Sequence, residues 1–412
     1  MANTRDSIGD QATLDGLVNR TLTSLEENGV TTLGWGALSK NTALTSVSFP
    51  AVTDIGNSAF QGCTELLSVS FPMATTVGMY CFDGCTKLSA VSLPAVTSFG
   101  SYAFMNCKAL SGFDITNDIS NIQASTFAGC SAFTWLKLRS TSKRTLNNTS
   151  AFANTPIGIG LGAIYVPSNL VSTYKADNNW KNFIIASLDD YPLTDFSTIT
   201  DSWSEILAAE ANGTYTSKYA VGDTKKATIN GNTVYMQIAA FDADALTAGG
   251  TAKITWVAKH IAETHKMNET SANADGWAAS GMRTWLQSTV YDGLDSTLKS
   301  AIKAVDKTHY DKTSNSTKTV SDTLWIPSWR EAGFDTSNAS CENSGPIYSG
   351  LFTGTTSRIK CNTTTISAAS WWLRSASSSN AANFMYVSTS GGSTSNGGGS
   401  TTANGVVFGF CT

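Results

Sequence analysis

LTSVSFPAVTDIGNSAFQGCTE, residues 44–65, is followed without a gap by LLSVSFPMATTVGMYCFDGCTK, residues 66–87, and LSAVSLPAVTSFGSYAFMNCKA, residues 88–109. The three stretches align almost letter for letter at a period of 22 residues. A self-similar period of about 20–29 residues is the signature of a stacked-coil solenoid, in which each coil buries its apolar face only against its neighbours. A looser copy runs from Leu110 to Ala132, and GWGALSKNTA, residues 34–43, is the tail of an earlier one. Within each copy, Val47 and Phe49, Val69 and Phe71, and Val91 and Leu93 alternate as a short strand. Phe60, Phe82, Phe104 and Phe127 fill the interior from the return limb.

Four of the eight cysteines, Cys63, Cys85, Cys107 and Cys130, keep this spacing, and Asn41 occupies the same slot one copy earlier. An Asn/Cys alternation fits a small buried polar group that satisfies turn backbone inside the coil. These thiols are therefore expected to be reduced rather than paired. Cys341 and Cys361 could pair or stay free.

The repeats, together with AIYVPSNLVSTYKADNNWKNF at residues 163–183, resemble BspA-type leucine-rich repeats, whose tandem FxxC copies they match over about residues 30–187. The resemblance implies a curved solenoid and, in that family, a surface or adhesion role. Before the repeats, Leu14, Leu17, Val18, Leu22 and Leu25 share one helical face, with Gly29 as a C-cap. Residues 1–30 are thus expected to form a helical cap or attachment segment, and residues 31–190 the solenoid.

A second domain is expected over residues 198–412. Ser202 and Glu205 have capping-box spacing and Gly213 ends the short helix they start. Asn230-Gly231 joins two strands as a hairpin turn. Helices are expected over ITWVAKHIAETHKMN, GWAASGMRTWLQSTV and LDSTLKSAIKAVDK, then strands to the end. The ordered set YAVGD, MNETSANADGWAASGMRTWL, LWIPSW, WWLRS and GVVFGFC resembles a bacterial and phage domain family akin to the C-type-lectin and formylglycine-generating-enzyme fold. The fold class expected is α+β: a leucine-rich-repeat solenoid followed by a C-type-lectin-like mixed domain.

Little in the chain points to chemistry. The net charge of -4 and scattered lysines give no basic stripe for nucleic acid. His260 and His265 stand five residues apart, about 140° around a helix, so they cannot share a metal as a zinc helix requires. His309 has no serine elbow beside it, no phosphate loop occurs, and the EPN and WND calcium motifs of lectins are absent. Neither an enzyme nor a metal or cofactor is expected. The N-terminus has no apolar core after a basic start, and no run of about 18 apolar residues occurs, so neither a signal peptide nor membrane insertion is expected.

The last segment carries the functional signal. After Arg374 the chain has no Asp, Glu, Lys or Arg, against 14% charged residues overall. From Ser377 to Gly405, only Met385 is unreachable by rewriting the adenines of an AAC codon. The segment resembles the variable region of a diversity-generating-retroelement target. The resemblance implies that Ser378, Asn380, Tyr386, Ser388, Ser390, Gly392, Ser393, Ser395, Asn396, Gly398, Ser400 and Thr402 bind ligand within a variable stretch of about residues 377–404. Trp371, Trp372, Arg374, Phe408 and Phe410 would be the fixed scaffold. Ser/Gly/Asn loops around an aromatic anchor also suit adaptable binding, and an inert Gly/Ser loop is the plain alternative.

These readings lead to an expected phage or prophage tail-associated receptor-binding protein, made in the bacterial cytoplasm without a signal peptide and carried on the virion. Its partners would be a host-cell surface protein or glycan and other tail proteins. A homo-oligomer such as a trimer stays open. The runner-up is a non-diversified bacterial surface or intracellular interaction protein, and an unassigned enzyme comes third.

Overall fold

The 22-residue spacing closes one coil of a parallel β-solenoid. In the computed structural model, which describes residues 21–191, 198–261, 263–270, 275–334, 346–363, 367–377, 383–394 and 401–412, Ser46–Ser48, Ser68–Ser70 and Ala90–Ser92 pair in parallel. Val47, Val69 and Val91 stand in one column. A second parallel ladder, Thr32–Leu33, Asp54–Ile55, Thr76–Val77 and Ser98–Phe99, forms another side. Further copies add Gly112–Ile115, Trp135–Leu138, Ala163–Val166 and Ile184–Ser187.

The interior is a ring stack. Phe60 lies 5.2 Å from Phe82, Phe82 5.1 Å from Phe104, and Phe104 5.6 Å from Phe127, all nearly parallel. Beside it runs a thiol ladder: Cys63 donates to the Leu38 carbonyl (3.1 Å), Cys85 to Phe60 (3.1 Å), Cys107 to Phe82 (3.2 Å) and Cys130 to Phe104 (3.0 Å). Asn41 Nδ2 donates to Leu38 as well, at 2.8 Å, so the Asn/Cys slot serves turn carbonyls. The residue before each slot, Lys40, Gly62, Gly84, Asn106 and Gly129, is left-handed, with φ between 60° and 76°. Glycine and asparagine recur there because the left-handed region costs them least.

The expected N-terminal helix does not extend through Leu25. Ser24–Glu26 is a strand, with Leu25 paired to Val47, and it adds one more coil to the ladder. Leu14, Leu17 and Val18 lie outside the described residues. An apolar residue that completes a solenoid rung gains backbone partners and burial together, which outweighs a local helical pattern.

The chain divides into two units, residues 1–196 and 197–412. The second is mixed α and β. Its helix Trp203–Ala211 starts with a capping box, Ser202 Oγ accepting from Glu205 N and Glu205 accepting from Ser202 N. Gly213 follows at φ +69°. Thr224–Ile229 and Asn232–Phe241 form the hairpin, with Asn230 and Gly231 both left-handed, at φ 49° and 79°.

ITWVAKHIAETHKMN is not a helix. Ile254–Ala258 is a fully buried strand between Asn232–Phe241 and Gly409–Cys411, and Thr264–Lys266 is a second strand. A short apolar run buried on both faces carries no periodicity that separates strand from helix, and its Ile, Thr, Trp and Val content favours the strand. LDSTLKSAIKAVDK likewise splits into a helix, Ser296–Ala301, capped by Asp295, and the start of the strand Val305–Asp311.

Candidate functional site

The site is built outward from the strand Trp371–Ala376, all six residues of which are buried. Each indole of its Trp pair finds a carbonyl: Trp371 Nε1 donates to Arg358 O at 3.0 Å and Trp372 Nε1 to His265 O at 2.9 Å. Arg374 places a two-pronged fork on Glu331, with Nη2 2.8 Å from Oε1 and Nη1 on Oε2. Burial opposes the Glu331 charge, but the Arg374 and Lys307 cations outweigh it and hold its carboxyl at about 2. The strand is therefore a fixed frame.

Phe384–Val387 pairs antiparallel to this frame, with Trp372 opposite Tyr386. Phe384, Met385 and Val387 are buried, while Tyr386 is half-buried. The chain then turns sharply: Ser388 N donates to Gly392 O at 2.8 Å, Gly391 N to Ser388 O at 2.9 Å, and the Ser388 and Ser390 hydroxyls meet at 3.0 Å. Gly391 is left-handed, and a Cβ there would collide with the Thr355 carbonyl oxygen. Arg358 secures the turn, donating from Nε to Gly391 O and from Nη1 to Gly333 O, both at 3.1 Å.

On the return, Ala403–Gly405 pairs with Thr264–Lys266, placing Asn404 opposite His265. His265 stacks on Trp285, centroids 4.3 Å apart. Trp285 immediately precedes a one-turn π-helix, Leu286–Val290, a geometry often met at functional sites. It borders two concavities. One, of about 270 Å³, is lined by apolar side chains including Val234, Phe408 and Val406, and by Glu263 and Asn232. The other, of about 380 Å³, includes His265, Lys266 and Thr284. Both volumes fall near the lower end of what ligand pockets occupy, roughly 300–1,000 Å³.

Of the residues singled out from sequence, Tyr386, Ser388, Ser390 and Gly392 share this hairpin and its turn, and Ser393 begins the short strand that pairs with Val387. Thr402 is exposed just before Ala403. Ser378, Asn380, Ser395, Asn396, Gly398 and Ser400 lie outside the described residues, as does Cys341. Trp371, Trp372, Arg374 and Phe410 are fully buried, and Phe408, nearly so, also lines the smaller cleft. Sequence reasoning does not pair Trp285 with His265. Their contact joins a strand to a helix twenty residues on, and no local period encodes it.

Among the described residues, no group of three or more His, Cys, Asp or Glu side chains could hold a metal ion. No described helix is long and apolar enough to cross a membrane.

Residues 53–174 match the family model of the BspA type leucine rich repeat region in six copies. The N-terminal unit contains a BspA-type leucine-rich repeat region. Residues 252–406 match the family model named Domain of unknown function (DUF6273). Among solved structures, a leucine-rich repeat protein from Bacteroides ovatus is 22% identical, covering 40% of this chain and 42% of its own, at a TM-score of 0.33. A leucine rich cell surface protein from Faecalibacterium prausnitzii is 21% identical, covering 35% and 48%, at 0.30. The T. pallidum leucine rich repeat protein is 21% identical, covering 40% and 73%, at 0.28. The chain thus spans less than half the length of the first two. No curated protein matches it.

Proposed function

We propose that the chain is an interaction protein that acts by binding, not by catalysis, and that it contacts its target through the face formed by Tyr386, the Ser388–Gly392 turn, Asn404 and the Trp285 cleft. One observation carries this reading: between two buried strands, Trp371–Ala376 and Gly409–Cys411, the chain has no charged residue, and its described part leaves Tyr386 half-buried and Thr389 and Ser390 exposed on a turn of Ser, Thr and Gly. A fixed frame with an uncharged turn, an aromatic wall and the Glu263 and Lys266 side chains in its concavities suits polar ligands, sugars or peptide surfaces, which offer hydrogen bonds and apolar faces together. The BspA-type repeats then serve as a spacer or docking surface.

In the finer form we propose, the protein is a tail-associated receptor-binding protein of a phage or prophage, with a C-type-lectin-like domain whose rim is rewritten by a retroelement and whose target is a host-surface protein or glycan. The AAC-reachable composition of residues 377–405 supports it. Sequencing the gene from many related isolates tests it. Changes are expected at codons such as those of Tyr386, Ser388, Ser390 and Gly392, sparing Trp371, Met385 and Phe410. Variation spread evenly over the domain would leave a non-diversified surface or intracellular interaction protein.

A further inference from the structure

The alternation VDKTHYD in the strand Val305–Asp311 turns Lys307 inward with Val305, His309 and Asp311. There the ammonium meets two carboxylates. Nζ donates to Asp244 Oδ1, lies 3.0 Å from Glu331 Oε1 and 3.0 Å from the Tyr348 hydroxyl, and sits 3.5 Å from the centroid of the Trp325 ring. Asp244 accepts from Thr255 Oγ1 at 2.6 Å and from Tyr348 Oη at 3.0 Å, both on Oδ2. Cys411 Sγ stands 3.7 Å from that same oxygen. Lys307, Asp244 and Glu331 are each no more than 1% exposed.

A buried ion pair is a costly way to hold a fold together, since desolvation takes back much of the attraction. Burial opposes the Lys307 charge, the Asp244 and Glu331 carboxylates outweigh it, and its pKa stands above the ordinary lysine value. The resting pair is thus an ammonium and a carboxylate in contact, walled by Trp325 and Tyr348. An amine and an acid buried in contact are also the reactants of an amide bond, and close positioning lowers the entropic barrier to joining them.

We propose that Lys307 and Asp244 condense into an intramolecular isopeptide bond, with Glu331 relaying the proton. A proton passes from the ammonium to the Asp244 carboxylate along the hydrogen bond they share, leaving a neutral amine and a neutral acid. The nitrogen lone pair attacks Cγ of Asp244 and forms the C–N bond. The Thr255 and Tyr348 hydroxyls, already directed at the Asp244 oxygens, stabilise the negative charge of the tetrahedral intermediate. Glu331 Oε1 takes a proton from the attached nitrogen and delivers it to the departing hydroxyl. The C–O bond breaks, one water leaves, and the carbonyl reforms. One positive and one negative charge disappear together, and nothing is oxidised or reduced. Arg374 grips both Glu331 oxygens and so fixes Oε1 against Lys307 Nζ. The product would tie together residues 63 positions apart in the chain.

Mass spectrometry of the purified full-length chain, denatured and digested with trypsin, tests this. The expected product is one branched peptide, residues 227–253 joined to residues 304–312, lighter than the two by one water and uncut after Lys307. The Lys307→Arg chain should give separate peptides. Recovery of unlinked 227–253 together with cleavage after Lys307 in the folded wild-type chain would overturn the proposal. Glu331→Asp keeps a carboxylate for Arg374 but withdraws it from Lys307, and should leave an unlinked fraction. Complete linkage in that variant would overturn the relay role of Glu331.

Discussion

The Tyr386 ring meets the Trp372 indole edge to face, centroids 6.1 Å apart and planes at 85°, across a registered pair of neighbouring strands. This ring contact joins the frame to the rim. Trp372→Ala should lower the stability of the C-terminal unit by about 3–5 kcal/mol, as loss of a buried indole does. Tyr386→Ala, at a half-buried position, should cost only about 0.5–1.5 kcal/mol. Urea denaturation of the two variants checks the ordering, and equal losses would mean that Tyr386 belongs to the frame.

Adjacent glycines in the turn should respond differently. Gly391 is left-handed with no room for a Cβ, whereas at Gly392 the nearest atom to an added Cβ, Ser388 Oγ, is 3.7 Å away. Gly391→Ala should destabilise by roughly 1–3 kcal/mol through strain and collision with Thr355. Gly392→Ala should be close to neutral. Thermal melts separate the two, and natural variants should change residue 392 while keeping residue 391.

Lys360 is buried, with Nζ 3.2 Å from the Ala258 carbonyl, and burial pulls its pKa down to about 7. The unfolded chain binds this proton more tightly, near pH 10, so between about 10 and 7 the unfolded state holds more protons. Stability should fall as pH drops through that window and level off below about 7. Lys360→Met should stabilise the unit by about 1–3 kcal/mol at pH 6 and by less at pH 10. A flat or inverted difference between the two pH values would contradict this.

The thiols should differ sharply in reactivity. Burial pushes Cys63 up to about 11 and Cys81, Cys85 and Cys107 well above the ordinary range, and the thiolate is the reactive form. In the folded chain at pH 8, Cys361, half-buried, should react with Ellman's reagent before the repeat cysteines. Rapid labelling of Cys85 would show that the ladder opens. Cys85→Ala, which removes the donor to Phe60 O, should cost about 1–2 kcal/mol.

The solenoid is legible in the sequence because each copy repeats the same demands: Val47, Val69 and Val91 lie one coil apart, and every coil reports the same rung. The hairpin at Asn230-Gly231 and the capping box at Ser202 are legible for a similar reason, since local backbone chemistry decides them. Ile254–Ala258 reads as helix and folds as strand because a strand buried on both faces has no polar beat. Lys307, Glu331 and Asp244 give no signal at all: three charged residues scattered over 87 positions look like surface until the fold turns them inward. The His265–Trp285 stack is hidden in the same way.

Whether the hairpin rim is the ligand face can be decided by binding of the purified chain to a panel of whole bacterial cells, with rim and solenoid variants compared side by side. Tyr386→Ala combined with Ser388→Lys and Ser390→Lys should lose or redirect cell binding while the melting profile stays cooperative. Lysines at Ser46, Ser68 and Ser89 on the solenoid should leave binding unchanged. If the solenoid variant abolishes binding with its fold intact while the rim variant binds the same cells as before, the ligand face lies on the repeats and not on the rim.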